Sequence, residues 1–209
     1  MPILPSTLEY STISFQKKID YISKHQQEFK SLAKQEILEF HIDLVYPSFA
    51  KDRAVMSSIS LTDNYKVIES LKSQCKVTIH FMGLIDDVIL LNAELEKLKL
   101  NKNIKAEIYL PITIEPIMVK TEWSKYHWFD LDQYDKIPRY ETPKILLMTV
   151  IAGKSGQSLT QENKTKALNI VTKRGTANVI VDGGWSIDDS KDGIRMVSYS
   201  SFWKAFGVI

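Results

Sequence analysis

The sequence predicts an α/β fold, a closed (β/α)8 TIM barrel. Three observations carry that expectation. Apolar strand-like runs alternate with segments of helical period, the pattern of a parallel sheet covered on both faces. Eight such runs can be counted, the number that closes a barrel rather than leaving an open sheet. The chain has 209 residues, 44% hydrophobic and 25% charged, an ordinary globular composition with enough apolar surface for one sizeable core. Residues 1–209 are therefore read as a single barrel domain.

Each element has its own reason. Ile3-Leu4-Pro5-Ser6-Thr7 reads as a short opening strand. Phe15, Ile19 and Ile22 recur at helical spacing, with Lys17, Lys18, Asp20 and Lys24 between them, which makes an amphipathic helix. His25 is placed on a polar, solvated helix surface. Glu36 to Leu44 is the second strand. Tyr46-Pro47-Ser48-Phe49 is expected to be a loop, because a residue before proline avoids the helical region. Thr62 or Asp63 would cap a helix that turns Val67, Ile68 and Leu71 inward. Val77 to Met82 is the third strand and Val88-Ile89-Leu90-Leu91 the fourth. Glu94 to Leu100 reads as a short helix with Leu95 and Leu98 inward and a Glu94–Lys97 surface pair. Lys105 to Leu110 is the fifth strand, stopped by Pro111.

Residues Glu115 to Thr142 do not resolve into elements. Trp123, Tyr126, His127, Trp128, Phe129, Tyr134 and Tyr140 crowd there, with Asp130, Asp132 and Asp135 among them. Aromatic clusters bury area first, so packing or a subunit contact is expected, with a site lid or an external helix as the alternatives. A homo-oligomer is the expected assembly. His127 has no partner at ligand spacing. Ile145 to Val150 is the sixth strand, followed by the glycine-bearing loop 151–157 and a helix from Thr160 to Lys173 with Ala167, Leu168 and Val171 inward. Val179 to Asp182 is the seventh strand and runs into Gly183-Gly184. Ile194 to Ser198 is the last.

Composition also excludes. A net charge of +2 offers nothing to nucleic acid or an acidic membrane surface. The lone Cys75 forbids an internal disulfide and fits a cytoplasmic setting. The first residues lack a basic segment followed by an apolar run, so no signal peptide is expected. No apolar run approaches the roughly 18 residues of a membrane span.

The chemistry begins at His41 and Asp43. Two positions apart on a strand, they share a face, while Phe40, Ile42 and Leu44 point the other way. Such a pair can share a metal ion or can be a buried histidine held by a carboxylate. In a barrel, active sites form at the C-terminal strand ends. There the second strand offers His41 and Asp43, the third His80 and the seventh Asp182. Two imidazoles and two carboxylates suit one divalent ion: zinc, iron, cobalt or manganese. Gly153, Gly156, Gly183, Gly184 and Ser200 gather at neighbouring strand ends, where glycines let backbone N–H groups approach an anion.

The motifs Leu4-Pro5-Ser6, Phe40-His41-Ile42-Asp43, Ile79-His80-Phe81-Met82, Leu147-Met148-Thr149-Val150 with Gly153-Lys154-Ser155-Gly156-Gln157, Val181-Asp182-Gly183-Gly184 and Val197-Ser198-Tyr199-Ser200 occur in this order. Together they resemble the ribulose-phosphate 3-epimerase family. The resemblance implies a barrel of the ribulose-phosphate-binding type, with some outer helices missing or shortened. The interval from His80 to Pro111 reads as if a helix were lost, the Glu115–Thr142 stretch reads as longer than in the family, and the family's final helix is not expected after Ser200. The resemblance also implies one divalent ion on His41, Asp43, His80 and Asp182. Asp43 would remove the proton from the sugar's carbon 3 and Asp182 would return one from the opposite face, with roles that swap with direction. The ion would hold the ketone and hydroxyl oxygens. Ser6 and His80 would touch the sugar, and Met82 and Met148 would line the reacting carbon. The implied activity interconverts D-ribulose 5-phosphate and D-xylulose 5-phosphate in pentose phosphate metabolism. Allulose 6-phosphate is the rival substrate, and a catalytically silent sugar-phosphate-binding barrel is the rival of another class.

Overall fold

The computed structural model describes residues 3–98, 103–136, 143–154, 156–192 and 194–208. The described residues form one eight-stranded parallel sheet. Its strands are β1 (Ile3–Pro5), β2 (Leu38–Val45), β3 (Cys75–Met82), β4 (Ile104–Pro111), β5 (Ser124–Asp130), β6 (Ile145–Met148), β7 (Val179–Asp182) and β8 (Arg195–Ser198). They pair in the order β1-β8-β7-β6-β5-β4-β3-β2. The seam between β1 and β2 is closed by a parallel bridge from Ser6 to His41, with Thr7 N donating to His41 O at 2.8 Å. The architecture is a (β/α)8 barrel.

Alternation on the strands sorts the side chains. Phe40, Ile42, Leu44, Val77, Ile79 and Phe81 pack outward in the core between sheet and helices. Leu4, Met82, Tyr109, Trp128, Leu146, Met148, Ile180 and Val197 form a second, inner cluster. Early in the strands the inner layer is charged. Arg195 Nη2 lies 2.5 Å and Lys76 Nζ 2.9 Å from Glu39 Oε1, while Glu107 takes Lys144 at 3.3 Å and the Tyr109 hydroxyl at 3.3 Å. Buried charges persist only when paired in this way.

The outer layer holds α1 (Thr12–Lys24), α2 (Gln26–Ala33), α3 (Pro47–Arg53), α4 (Leu61–Glu69), α5 (Asp87–Lys97), α6 (Gln161–Arg174) and α7 (Ser200–Ala205). None of the described helices is long and apolar enough to cross a membrane. The expected helices over Phe15–Ile22 and Thr160–Lys173 are present as α1 and α6, with Thr160 as the N-cap of α6. α2 was not anticipated. His25 sits at the α1–α2 junction, stacked on Tyr21 and 3.0 Å from Glu28, rather than on a helix face.

Several expectations are corrected. Val88–Leu91 is not a strand but part of α5. Val88 and Leu91 are buried while Ile89 and Leu90 are exposed, a spacing of three that belongs to a helix. The missing strand is β5, inside the stretch expected to be an aromatic contact surface, lid or outer helix; Tyr140 lies outside the described residues. The count of eight thus stands, with Ile104–Pro111 as the fourth strand and Ser124–Asp130 as the fifth. Pro47 does not open a loop: it is the first residue of α3, where its missing N–H costs nothing. Buried Asp87 satisfies the neighbouring donors, accepting from Ser48 N at 3.1 Å, Phe49 N at 3.3 Å and Leu84 N at 2.9 Å. Ser60, not Thr62 or Asp63, caps α4 by accepting from Asp63 N at 3.0 Å. Glu94 turns away from Lys97 to take Tyr46 OH at 3.0 Å and Leu61 N at 2.7 Å.

No helix is lost between His80 and Pro111, because α5 occupies that interval. The trimmed crossovers lie elsewhere: 3-10 turns at Pro116–Met118, Leu131–Lys136 and Ile187–Asp192 stand where helices would follow β4, β5 and β7. A final helix is present as α7. It is anchored by buried Phe202 and Trp203, and the Trp203 indole donates to Ser6 O at 2.7 Å.

Candidate metal centre at the barrel mouth

The alternation that sends Phe40, Ile42 and Leu44 outward turns His41 and Asp43 inward together. His80 pairs in register with Asp43 across β2–β3, and Asp182 ends β7. The four side chains meet: one ligand atom from each of His41, Asp43, His80 and Asp182 lies within 4.8 Å of all the others. Each imidazole stands between both carboxylates. His41 Nε2 is 3.3 Å from Asp43 Oδ1 and 3.4 Å from Asp182 Oδ2. His80 Nδ1 is 3.0 Å from Asp43 Oδ1 and 3.3 Å from Asp182 Oδ2.

These separations fit a shared cation. Bonds of about 2.1 Å put neighbouring donors about 3.0 Å apart at a right angle and about 3.4 Å apart at the tetrahedral angle. Asp182 Oδ2 is fully buried and has no hydrogen-bond partner among the described residues, although two imidazole nitrogens flank it. A buried carboxylate oxygen left in this position costs free energy unless something positive sits among the four atoms. The group therefore has the donor set and spacing to hold a divalent ion.

Without an ion, protons do that work. Burial opposes charge on His41, yet adjacent Asp43 and Asp182 outweigh it and push its pKa up to about 10. Burial likewise opposes charge on His80, whose pKa the two carboxylates also raise. Burial works against ionising Asp43 and Asp182, and for Asp182 the neighbouring Asp43 adds repulsion. Both are nevertheless held below the ordinary carboxylate range by the imidazoles. All four shifts run the same way, favouring positive charge on the imidazoles and negative charge on the carboxylates that alternate with them around the ring.

Above the ring opens a cavity of about 250 Å³. The two acids form part of its wall, together with Ser6, Met82 and Met148; the two histidines, both fully buried, lie beneath. Ser6 Oγ donates to Asp43 Oδ2 at 2.5 Å, which leaves Oδ1 for the ring. Gly153, Gly156, Gly183, Gly184 and Ser200 line the same cavity, so the residues assigned to metal and substrate from sequence all come to one place. Gly183 and Gly184 both have φ in the left-handed range, at 102° and 76°. A Cβ on Gly184 would meet Leu159 N at 2.6 Å.

Sequence reasoning missed some of the lining. Trp185 follows Gly184, lines the cavity, and donates its indole N–H to Thr149 Oγ1 at 3.0 Å. Gln157 closes the glycine loop on itself, donating to Ile151 O at 2.7 Å and Lys154 O at 2.6 Å. Trp128 stands against His80 with ring centroids 4.9 Å apart. Reading 124–130 as a strand would have found it, since Tyr126 and Trp128 alternate inward. His127 takes no part in the site; its Nε2 lies 3.2 Å from Ile114 O. No family model and no curated protein matches the sequence.

Proposed function

We propose that this protein is a divalent-metal-dependent 3-epimerase of a ketose phosphate, with D-ribulose 5-phosphate and D-xylulose 5-phosphate as its substrate pair. The observation that carries the reading is the convergence of Asp43 and Asp182. They come from strands three steps apart around the barrel, share one buried centre, and both border the cavity. Inversion at a carbon next to a carbonyl needs one base on each face, and paired carboxylates held ionised meet that need. Asp43 would take the carbon 3 proton and Asp182 would supply one from the other side, the roles exchanging in the reverse direction. His41, Asp43, His80 and Asp182 would hold the ion. When bound, it supplies Lewis acidity to the oxygens that become negative as the proton leaves.

The remaining residues have parts in the same scheme. Ser6 holds the second oxygen of Asp43, so the base has one orientation. Met82 and Met148 make an apolar wall that keeps water from the exchanging proton. Lys154 and the glycines at 153, 156, 183 and 184 border the same cavity, where a cation and open backbone suit a phosphate.

Proton exchange tests this directly. In D2O, protein loaded with zinc, iron, cobalt or manganese should place deuterium at carbon 3 of D-ribulose 5-phosphate while forming the epimer. Allulose 6-phosphate serves as the competing substrate. A folded, metal-loaded protein that exchanges no carbon 3 proton on either sugar phosphate would instead be a silent binding barrel.

A further inference from the structure

Metal-bound histidines ordinarily hand their second ring nitrogen to a carboxylate, a carbonyl or water, which fixes the tautomer and the ring plane. Both histidines depart from this: His41 Nδ1 is buried with no hydrogen-bond partner among the described residues, and so is the outer nitrogen of His80. His80 Nδ1 faces the two carboxylates, and its Nε2 is that outer nitrogen. What stands beside the ring is the indole of Trp128. The centroids are 4.9 Å apart and the planes are inclined at 76°, the arrangement in which the edge of one ring meets the face of the other. The indole is itself fixed. Strand pairing between β3 and β4 stops at His80 and Tyr109, and just beyond it Phe81 O accepts the Trp128 Nε1–H at 2.9 Å. Phe49 packs against Trp128 with ring centroids 6.3 Å apart.

We infer that Trp128 is the positioning residue for His80: the Nε2–H is directed at the indole face, whose π density takes the place of the usual acceptor and leaves Nδ1 as the ligand atom. An N–H over an aromatic face is a weak hydrogen bond, and in a dry site it is enough to choose between two tautomers. The inference rests on the metal centre proposed above. It adds that β5, a strand that furnishes no ligand itself, sets the aim of one.

The experiment is titration of wild type, Trp128→Phe and Trp128→Leu with zinc and with cobalt, alongside nitrogen-15 NMR of the zinc-loaded histidines. Phenylalanine keeps an aromatic face, whereas leucine fills space without one. Wild type and Trp128→Phe should bind within about threefold of each other. Trp128→Leu should bind about tenfold more weakly, at the low end of what losing a group that orients a metal-bound histidine costs, and its cobalt spectrum should broaden. In wild type, the His80 nitrogens should report a protonated Nε2, with its proton shielded by the indole. Equal binding by the Leu and Phe variants, or zinc on Nε2 of His80, overturns the inference while the metal centre stands. Wild type that binds neither ion removes the centre and the inference together. Should Trp128→Leu fail to fold, the wild-type tautomer and the shielding of its proton decide the question alone.

Discussion

Ser6 and Asp43 are joined by a hydrogen bond of 2.5 Å, and the same serine closes the barrel by bridging to His41. Barrel closure and ligand placement are thus one structural event. A β1 strand that slipped by one residue would turn Ser6 to the other face and release Asp43.

Ser6→Ala therefore tests the seam and the site together. A hydrogen bond to a charged group contributes about 1.5–3 kcal/mol net, and loss of a group that orients a ligand typically weakens metal binding about 10–100-fold. The expected result is a folded protein with a lower melting temperature and a weaker cobalt affinity. Unchanged cobalt affinity would mean that Asp43 holds its place without Ser6.

Metal removal should be visible without any substrate. An ion present at about 100 times its dissociation constant stabilises the folded state by about 2.7 kcal/mol, a shift of about 5–10 °C for a chain of this size. Chelator-treated protein should melt lower by that amount and recover on adding zinc or cobalt. His80→Ala should show a clearly smaller response, because one of the four groups that would hold the ion is gone. An equal metal-induced shift in His80→Ala would place the binding elsewhere.

The pH response follows from the raised pKa of His41. In the metal-free protein this group is pushed from 6.5 up to about 10, burial opposing and the carboxylates prevailing. Its contribution to stability is fully present below pH 6.5 and is lost as pH rises through about 10. Asp43 and Asp182 act in the opposite sense: their folded pKa values are lowered, so their contribution is lost on acidification below the ordinary value of 3.8. A divalent ion requires its imidazole ligands neutral, so binding near neutrality should expel the proton held by His41, with His80, whose pKa is also raised, acting in the same direction. Calorimetric titration in two buffers of different ionisation enthalpy counts the protons released, and a count of zero contradicts a protonated His41.

The barrel class and the strand positions of the four candidate ligands were legible in the sequence, and several elements between them were not. His41-Ile42-Asp43 and Val181-Asp182-Gly183-Gly184 lie on continuous apolar runs, where period two fixes which residues share a face, and the structure places them accordingly. β5 was illegible because Lys125 and His127 interrupt its apolar character, and its outward face is only partly covered. Val88-Ile89-Leu90-Leu91 misled for the opposite reason: four apolar residues in a row fit a strand, and only the burial of the first and fourth reveals a helix. Pro47 was ambiguous because the geometry that excludes a helix before proline also favours one starting at it. The tertiary partner that decides the matter, Asp87, lies 40 residues on and is invisible to local pattern.

Gly184→Ala tests the glycine-lined wall of the cavity apart from the metal centre. Gly184 has φ of 76°, and a Cβ there would press on Leu159 N at 2.6 Å and Leu159 Cα at 3.1 Å. A non-glycine residue in the left-handed region costs about 1–2 kcal/mol, and contact with backbone cannot be relieved by turning a side chain. The segment entering α6 must therefore shift, and with it the glycine loop at 153–157, which is tied to itself through Gln157. His41, Asp43, His80 and Asp182, which would hold the ion, lie on strands β2, β3 and β7 rather than on this segment, so zinc or cobalt affinity should stay within a few-fold. Affinity for inorganic phosphate and for a ketose phosphate should fall at least tenfold, the Michaelis constant rising more than turnover falls. If phosphate binding survives while metal binding collapses, the glycine-lined wall is a brace for Asp182 and the anion must be held elsewhere along the cavity.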